Sequence, residues 1–425
     1  MTQSANRGAT APDITYQDPS AGLADVPGFR VAATGCDIRG KGTDRLDLAM
    51  VYSPTPCAAA GIFTTNSLPA APVTLCREHL AARSGAGFHA LVVNSGNANA
   101  CTGQAGMTDA RAMARAAAQA LDCEPGQTLV CSTGRIGKPL PMDRLTPAIR
   151  ETGQQLAEAT AGSGAPAGER AAEAILTSDT RIKTVTAEIR APAGVIRLGA
   201  MAKGAGMIEP DMATMLAFIA TDAAVPPDLL RVYLSQAGAR SFNRITVDGD
   251  MSTNDTVLAL ANGASGIALT DPTTPLARAF GEALTEICRR LARKIVGDGE
   301  RITKVVTLEV EQAASPAEAE KVARAVGNSL LVKSSWYGND PNWGRIADAV
   351  GYAGVGVTED SLEIHYGDQP AFVRGRAFPE NLAAWREHVA RQAFTIRIVL
   401  NAGPVGCTLL ATDLTEGYVN FNKSE

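Results

Sequence analysis

Some segments of the chain place apolar residues at strand-like spacing, and others place them at the three-to-four-residue spacing of a helix. "LDLAMVYS" (46–53) and "HALVVNSG" (89–96) predict strands that end in polar turns. "TDARAMARAAAQALDC" (108–123) predicts a helix capped by Thr108, because a threonine side chain can accept a hydrogen bond from the first helical turn. "QTLVCSTGRIG" (127–137) predicts another strand, which leaves through a glycine-containing loop. This alternation predicts an α/β fold with helices on both sides of sheet.

The segment "KGAGMIEPDMATMLAFIATDA" (203–223) places small residues shortly before Thr214 and an apolar run directly after it. Within it, "MLAFIAT" (215–221) is apolar at odd and even positions alike. That pattern is typical of a strand buried on both faces rather than one with a solvated face. The core is therefore predicted to resume immediately after Thr214.

The remaining segments predict further elements of both kinds. "AGSGAPAG" (161–168) predicts a flexible link between two helices, and "RITVDGD" (244–250) predicts a strand. "PLARAFGEALTEICRRLARKIVG" (275–297) predicts a long helix, and "LLVKSSWYG" (330–338) predicts a strand.

The strand and helix pattern restarts beyond residue 297, after a polar, glycine-containing stretch. We therefore predict a lobe boundary there. The predicted organisation is a flexible tail over 1–24, a catalytic core over 25–297 and a smaller α+β lobe over 298–425.

Composition narrows the function classes. The 425 residues are 45% apolar and 20% charged, which is typical of a globular protein. A formal net charge of −5 lacks the basic excess that nucleic acid binding requires. No apolar run approaches the ~20 residues that cross a bilayer, and residues 1–28 contain no apolar signal core. The expected partners are therefore small molecules, with no membrane, and the expected compartment is the cytoplasm.

Cysteine and histidine usage indicates no metal site. The eight cysteines contain no close CxxC pair, and the four histidines lie outside segments that look catalytic. Reduced thiols are expected, with no metal and no bound cofactor.

Thr214 is a candidate nucleophile whose base is not obvious. A threonine hydroxyl needs a proton acceptor, and no histidine is near it in sequence. Cleavage of the Ala213–Thr214 bond would expose the α-amino group of Thr214, which titrates near ~8 and can serve as the base. Gly204, Gly206 and Pro210 favour a tight turn that would bring the hydroxyl to that bond. The alternative reading is that Thr214 only begins a strand, as β-branched residues often do.

Eight sequence blocks, in this order, resemble the ornithine acetyltransferase (glutamate N-acetyltransferase) family of arginine biosynthesis. The blocks are "GIFTTN" (61–66), "VVNSGNANACTG" (92–103), "STGRIGKPLPMD" (132–143), "TSDT" (177–180), "MAKGAGMIEPDMATMLAFIATDAA" (201–224), "SFNRITVDGDMSTNDTV" (241–257), "DGERITK" (298–304) and "DPNWGRIADAVGYAG" (340–354).

The resemblance implies a layered αββα sandwich of the self-cleaving N-terminal-nucleophile type. Cleavage is expected between Ala213 and Thr214, and the two chains are expected to stay together as an α2β2 assembly. The implied reaction is ping-pong transfer of acetyl from N2-acetyl-L-ornithine through Thr214 to L-glutamate. Some family members also accept acetyl-CoA, so the resemblance allows it as a second donor.

The resemblance also implies the site residues. Thr133 and Gly134 of the "STG" block map onto the oxyanion hole, where one well-placed donor is worth roughly 3–4 kcal/mol. The implied substrate contacts are Thr180, Lys203, Thr214, Glu300 and Asn422. Chemically, Lys203 suits a substrate carboxylate, and Glu300 suits the side-chain ammonium of ornithine.

Three positions depart from the family pattern. Members of the family usually end in a Ser or Thr that also contacts substrate; Ser424 differs from it in spacing, and whether Ser424 replaces that contact stays open at the level of sequence. Glu209 and Asp211 lie where the family is often uncharged. Two effects of this added negative charge stay open, slower cleavage or altered pairing there, and neither removes the nucleophile.

Two rival functions stay open at the level of sequence. The first is a self-cleaving amide hydrolase or aminopeptidase that uses an N-terminal threonine and gives its acyl group to water. The second is a non-catalytic amino-acid-binding homologue with an uncleaved chain.

Overall fold

The computed structural model describes residues 11–159, 164–209 and 215–423. The predicted cleavage site at Ala213 and Thr214 lies outside the described residues, as do Asp211 and Ser424.

The first lobe is built on a nine-stranded sheet. Its strands are β1 (Asp13–Gln17), β2 (Arg30–Thr34), β3 (Leu48–Phe63), β4 (Ala86–Asn97), β5 (Thr128–Arg135), β6 (Lys183–Ala191), β7 (Gly194–Lys203), β8 (Leu216–Thr221) and β9 (Thr256–Ala261). They are ordered β1-β6-β7-β8-β9-β3-β4-β5, and β2 pairs with β3. Its helices are α1 (Ala71–Ala82), α2 (Gly103–Leu121), α3 (Met142–Glu158), α4 (Gly164–Ala174), α5 (Pro227–Ala239) and α6 (Pro275–Val296).

The sheet folds into two packed layers because β3 is long and pairs with different strands at its two ends. Its first part pairs with β4, and its last part, from Ala58 to Phe63, pairs with β9. Along β8, Ala217 and Ile219 pack into the cluster that contains α5 and α6, whereas Leu216 and Phe218 face the inner cluster with β2, β4 and β5. Both faces of β8 are therefore buried, as the sequence predicted.

The outer face of the β4–β5 layer carries the other helix layer. Ala90 and Val92 of β4 pack with Met113 of α2 and Ile149 of α3. The lobe is therefore an αββα sandwich, which confirms the predicted fold class.

The second lobe is a six-stranded sheet with helices on one face. Its strands are β10 (Val305–Ala313), β11 (Glu363–Tyr366), β12 (Gln369–Val373), β13 (Arg376–Ala377), β14 (Ala393–Val399) and β15 (Val405–Thr412), ordered β13-β12-β11-β14-β10-β15. Its helices are α7 (Pro316–Asn328), α8 (Leu330–Tyr337), α9 (Trp343–Tyr352), α10 (Leu382–Val389) and α11 (Glu416–Phe421). Four 3-10 helices complete the described chain: Gly22–Asp25, Pro125–Gln127, Phe242–Arg244 and Pro379–Asn381.

The two lobes are joined by hydrogen bonds as well as by the chain. The Thr246 backbone N–H donates to the Leu410 carbonyl at 2.8 Å, and the Thr412 hydroxyl donates to the Val247 carbonyl at 3.1 Å. None of the described helices is long and apolar enough to span a membrane.

The predicted flexible tail over 1–24 is wrong from residue 13 onward. β1 pairs with β6 in register Asp13 to Arg190, which adds an edge strand to the sheet. The 3-10 helix Gly22–Asp25 follows, and Leu23 is buried in the inner cluster. The mostly polar composition of Asp13–Gln17 did not indicate a strand, because an edge strand needs few apolar side chains.

The predicted cap at Thr108 is also wrong. α2 begins five residues earlier, at Gly103, and the Thr108 hydroxyl donates to the Gln104 carbonyl inside the helix at 3.0 Å. The predicted link over 161–168 is likewise helical from Gly164, where α4 begins.

Two predicted strands differ in the structure. Leu330–Tyr337 form helix α8 and Gly338 caps its end. Ser329 caps its start through the Val332 N–H, and Val332 and Trp336, four residues apart, are buried on one face. In place of the predicted strand over 244–250, Arg244 ends a 3-10 helix and residues 245–250 form a loop with one bridge, Ile245 to Leu410. Its acidic and glycine residues shape a turn rather than a ladder.

Candidate active site

Four strand ends meet at one edge of the first sheet. β7 ends at Lys203, which pairs with Leu216 at the start of β8, and Leu216 pairs with Thr256 at the start of β9. β6 begins beside them at Lys183. The residue that precedes each strand start is therefore brought to a common edge.

A buried cluster of two lysines and two aspartates lies at this edge, and we call it the charged cluster. Its members are Asp179, Lys183, Lys203 and Asp298. Lys183 Nζ donates to Asp179 Oδ1 at 2.7 Å and to Asp298 Oδ2 at 2.6 Å. Lys203 Nζ lies 3.8 Å from Asp179 Oδ2. The two positive charges are thus matched by two negative charges, which burial of ions requires.

Electrostatics within the charged cluster shift two pKa values. Burial alone would raise the pKa of Asp179, but Lys203 and Lys183 outweigh it and lower that pKa well below its ordinary value. Burial lowers the pKa of Lys203, while the negative charges of Asp179, Glu300 and Asp255 oppose that shift. Asp179 also accepts the Gly204 backbone N–H at 2.6 Å, which fixes the chain just after Lys203.

Asp298 connects Thr180, a predicted substrate contact, to the charged cluster through two hydrogen bonds. The Thr180 backbone N–H donates to Asp298 Oδ2 at 3.0 Å, and the Thr180 hydroxyl donates to Asp298 Oδ1. Thr180 itself is exposed, so its hydroxyl lies where the cluster meets solvent.

Glu300 and Asn422, from opposite ends of the second lobe, meet beside the same edge. Asn422 Nδ2 donates to Glu300 Oε2 at 3.0 Å, and the Glu300 backbone N–H donates to the Ala205 carbonyl at 2.9 Å. A side chain at Gly206 would place its Cβ 2.4 Å from the carboxyl carbon of Glu300. Glycine is therefore needed at 206 for the carboxylate to lie against the turn that follows Lys203.

Asp255 contacts the residue that follows the predicted nucleophile in sequence. Its Oδ1 accepts the backbone N–H of Met215 at 2.9 Å, and Met215 directly follows Thr214 in the chain. Its Oδ2 is buried without a hydrogen-bond partner among the described residues. Burial raises the pKa of Asp255 well above its ordinary value, and the Met215 N–H and the charge of Lys203 oppose that rise.

Asn254 links this segment to the predicted oxyanion hole. Its Nδ2 donates to the Ser132 carbonyl at 2.8 Å and to the Ala98 carbonyl at 2.6 Å. Ser132 directly precedes Thr133, and Asn254 directly precedes Asp255. Thr133 is thus next in sequence to one end of this hydrogen bond, and Met215 is hydrogen-bonded to the residue next to its other end.

Gly134 occupies a position that admits only glycine. Its φ is +133°, and a Cβ there would lie 2.3 Å from the backbone carbonyl carbon of Gly96 on the neighbouring strand. Thr133, directly before it, has its side chain buried.

The structure therefore brings the described predicted residues to one edge in two groups. Thr180, Lys203, Glu300 and Asn422 lie around the charged cluster. Thr133 and Gly134 lie on the side of Asn254.

Glu209 forms an ion pair between the lobes. Its Oε1 accepts from Arg324 Nη1 at 2.8 Å, and Arg324 also pairs with Glu320 at 2.6 Å. The negative charge that the sequence placed near the cleavage site is therefore opposed by a guanidinium group from α7.

Comparison with known protein families shows the family to which this chain belongs. A family model described as the ArgJ family matches residues 30–424. The chain belongs to the ArgJ family.

Relatives within the ArgJ family match over nearly the whole chain. The arginine biosynthesis bifunctional protein ArgJ of Symbiobacterium thermophilum is 46% identical over 407 residues, which covers 95% of this chain and 98% of that protein. The protein of the same name from Geobacter sulfurreducens is 43% identical over 401 residues, which covers 94% of this chain and 98% of that protein.

Solved ArgJ structures match part of the chain. Arginine biosynthesis bifunctional protein ArgJ from Bacillus halodurans is 31% identical with a TM-score of 0.42, and covers 47% of this chain and 97% of its own. Ornithine acetyltransferase complexed with ornithine from Mycobacterium tuberculosis is 36% identical with a TM-score of 0.40, and covers 47% of this chain and 98% of its own.

Four buried residues of this ArgJ-family site received no role from the sequence: Asp179, Lys183, Asp255 and Asp298. Three of them lie inside the quoted blocks "TSDT", "STNDTV" and "DGERITK". An acidic residue directly before a fully apolar strand, as Asp255 before "TVLALA", was the available signal. Asp298 and Lys183 are 115 residues apart, so their pairing is visible only in three dimensions.

Proposed function

We propose that this chain transfers an acetyl group from N2-acetyl-L-ornithine to L-glutamate, after cleaving itself between Ala213 and Thr214. The observation that carries the proposal is the meeting of Lys203, Thr180 and Glu300 with the amide of Met215 at one sheet edge. Membership of the ArgJ family supports the reaction class, because its relatives are named arginine biosynthesis bifunctional proteins.

The cleavage step needs only Thr214 and water. The hydroxyl oxygen attacks the Ala213 carbonyl carbon, the C–N bond to Thr214 breaks, and the nitrogen leaves as the new α-amine. Water then hydrolyses the ester between Ala213 and the Thr214 oxygen, which restores the hydroxyl and leaves Ala213 with a carboxylate.

Turnover uses the same hydroxyl with the new amine as base. The Thr214 oxygen attacks the acetyl carbonyl of N-acetylornithine, and its proton passes through the α-amine to the departing amine of ornithine. The amine of glutamate then attacks acetyl-Thr214 and receives the acetyl group. We assign the Thr133 hydroxyl and Gly134 N–H to the oxyanion of both tetrahedral intermediates.

Charge complementarity supports an amino-acid substrate. The charged cluster is balanced internally, so Glu300 adds a negative charge at its rim, held by Asn422. In the proposal this carboxylate binds the side-chain ammonium of ornithine, and Lys203 binds the α-carboxylate of either substrate.

The sheet explains how two fragments would stay together after cleavage. β7 lies in the first fragment and β8 in the second. They pair through six pairs of residues, from Leu198–Thr221 to Lys203–Leu216. β9, also in the second fragment, pairs with β3 of the first. The β8–β9 pair is therefore inserted between strands of the first fragment. An α2β2 assembly of such pairs is part of the proposal, and light scattering of the purified protein tests it.

Three assay mixtures test the reaction. N-acetylornithine with glutamate should yield ornithine and N-acetylglutamate. N-acetylornithine alone should yield little acetate. Acetyl-CoA with glutamate tests the second donor, which the word "bifunctional" in the relatives' names supports. Thr214→Ala should abolish product formation in every mixture. Rapid acetate release without glutamate would instead assign the chain to the amide hydrolases.

A further inference from the structure

A second charged region lies between the lobes, apart from the charged cluster. It is a groove of about 560 Å³ between the end of α5, the outer face of α6 and the start of β15. A volume of that size is typical of small-molecule sites. Five arginines line it, and we call it the arginine groove: Arg240, Arg244, Arg289, Arg290 and Arg293.

Positive charge in the arginine groove is not balanced. The chain as a whole carries a formal net charge of −5, yet among the described residues that line the groove Glu286 is the one carboxylate. Glu320, on α7, pairs with Arg244 at 3.0 Å from outside the groove. Five guanidinium groups therefore face two carboxylates, an excess of three positive charges.

The existing contacts leave two of the arginines available. Glu286 accepts from Arg290 at 2.9 Å and lies 4.0 Å from Arg289. Arg240 and Arg293 form no ion pair within the described parts of the chain, and both are exposed.

Helix position accounts for only part of this arrangement. Arg240 and Arg293 lie at the ends of α5 and α6, where a cation is favoured by the helix dipole. That effect does not explain why Arg244, Arg289 and Arg290 enter the same groove. Repulsion among them is a cost that an anionic ligand would remove.

We propose that the arginine groove binds a small anion that carries a diphosphate group. Guanidinium groups bind phosphate oxygens through two parallel N–H donors, and this is the recognition for which arginine is better suited than lysine. A single phosphate carries roughly −1.5 to −2 at pH 7, which is less than the excess charge of the groove. A diphosphate matches that excess more closely. The proposal is independent of the acetyl-transfer reaction.

Inorganic pyrophosphate is the probe for the test, titrated calorimetrically into the full-length protein at low salt. The variant is Arg240→Gln with Arg293→Gln, because both side chains are exposed and unpaired, so the fold should be retained. The matched control is Arg278→Gln with Arg386→Gln, two exposed arginines outside the groove. We expect wild type and control to bind alike, and the groove variant to bind at least about tenfold more weakly.

Salt and alternative ligands complete the test. Binding to wild type should weaken as salt is raised, since it depends on charge. ADP binding more tightly than pyrophosphate, with the same loss in the groove variant, would support the site and add a nucleoside to the ligand; equal affinity would support diphosphate alone. Absence of pyrophosphate binding, affinity insensitive to salt, or equal affinity in the groove variant would each overturn the proposal.

Discussion

Two buried lysines in different lobes have opposite surroundings. Lys183, in the charged cluster, donates to the carboxylates of Asp179 and Asp298 at 2.7 and 2.6 Å. Lys333, in the second lobe, donates to the carbonyl of Thr412 at 2.6 Å and to its hydroxyl at 3.3 Å. Burial lowers the pKa of Lys333 to about 8, with more distant carboxylates opposing the shift.

This difference separates the candidate functional edge of the first lobe from the scaffold of the second lobe. Around Lys183 the first lobe holds fixed opposite charges, and those charges orient Thr180 and the chain beside Lys203. Among the described residues, the hydrogen-bond acceptors of Lys333 are neutral and its carboxylates lie farther away, so the ammonium is held at a cost. A site that binds a charged amino acid needs the first arrangement, because its own groups must stay charged and fixed when substrate arrives.

The largest expected effect comes from removing the ammonium of the charged cluster. Lys183→Met leaves Asp179 and Asp298 buried without their shared cation. We expect a loss of about 3–5 kcal/mol in the free energy of unfolding, measured by urea denaturation at pH 7. The exposed Lys321→Met is the control and should change stability little. Equal stability of Lys183→Met and wild type would mean that the cluster is not a charged unit.

The free energy of unfolding is predicted to depend on pH through Lys333, because burial disfavours the charged form of this lysine. The folded pKa of Lys333, about 8, lies below the ordinary value of 10.5, so between those values the unfolded chain binds more protons than the folded chain. Stability contributed by this group therefore rises with pH across that window and is lowest below it. Relative to Lys333→Met, wild type should gain about 2–3 kcal/mol between pH 8 and 10.5. Parallel stability curves for the two proteins would contradict this account.

The third prediction tests whether the buried carboxylate of Asp255 contributes to catalysis at the candidate functional edge. In Asp255→Asn the side-chain carbonyl can still accept the Met215 N–H, while the negative charge is lost. Burial raises the pKa of Asp255, but the protonated α-amine that the proposed acyl transfer would form on the residue before Met215 favours the ionised carboxylate. We therefore expect kcat of the cleaved protein to fall roughly 10- to 100-fold with a smaller change in KM. Asp250→Asn, on the same loop and exposed, should behave as wild type. A kcat equal to wild type would remove Asp255 from the mechanism.

The smallest expected effect concerns the pair that joins the lobes. Arg324→Gln leaves the carboxylate of Glu209 without its guanidinium partner near the cleavage site. We expect precursor cleavage, followed on gels over time, to slow several-fold because a nearby negative charge opposes the developing oxyanion. Adding Glu209→Gln should restore the rate. If Arg324→Gln cleaves at the wild-type rate, Glu209 has no influence on that step.

Patterns local in sequence predicted much of the fold. The doubly buried strand after residue 214 and the long helix α6 follow from periodicity alone. Thr108 and residues 330–338 were assigned wrongly, because a cap or a short apolar run depends on neighbours that periodicity does not include. Tertiary packing decided both.

For the candidate site, the sequence predicted individual residues but not the contacts between them. Motif blocks pointed to Thr180, Lys203, Glu300 and Asn422, which the fold brings to one edge. The charged cluster was invisible in sequence, because it pairs residues from distant segments and exists only where strand ends meet. Asp255 was visible as a residue but not as a neighbour of Met215.

N-terminal sequencing of catalytically active material tests the central claim most directly. The account predicts two polypeptides in equal amount, one of which starts TMLAF at Thr214, and a single intact chain for Thr214→Ala. Full acetyl-transfer activity in a preparation that contains only the uncleaved 425-residue chain would contradict it.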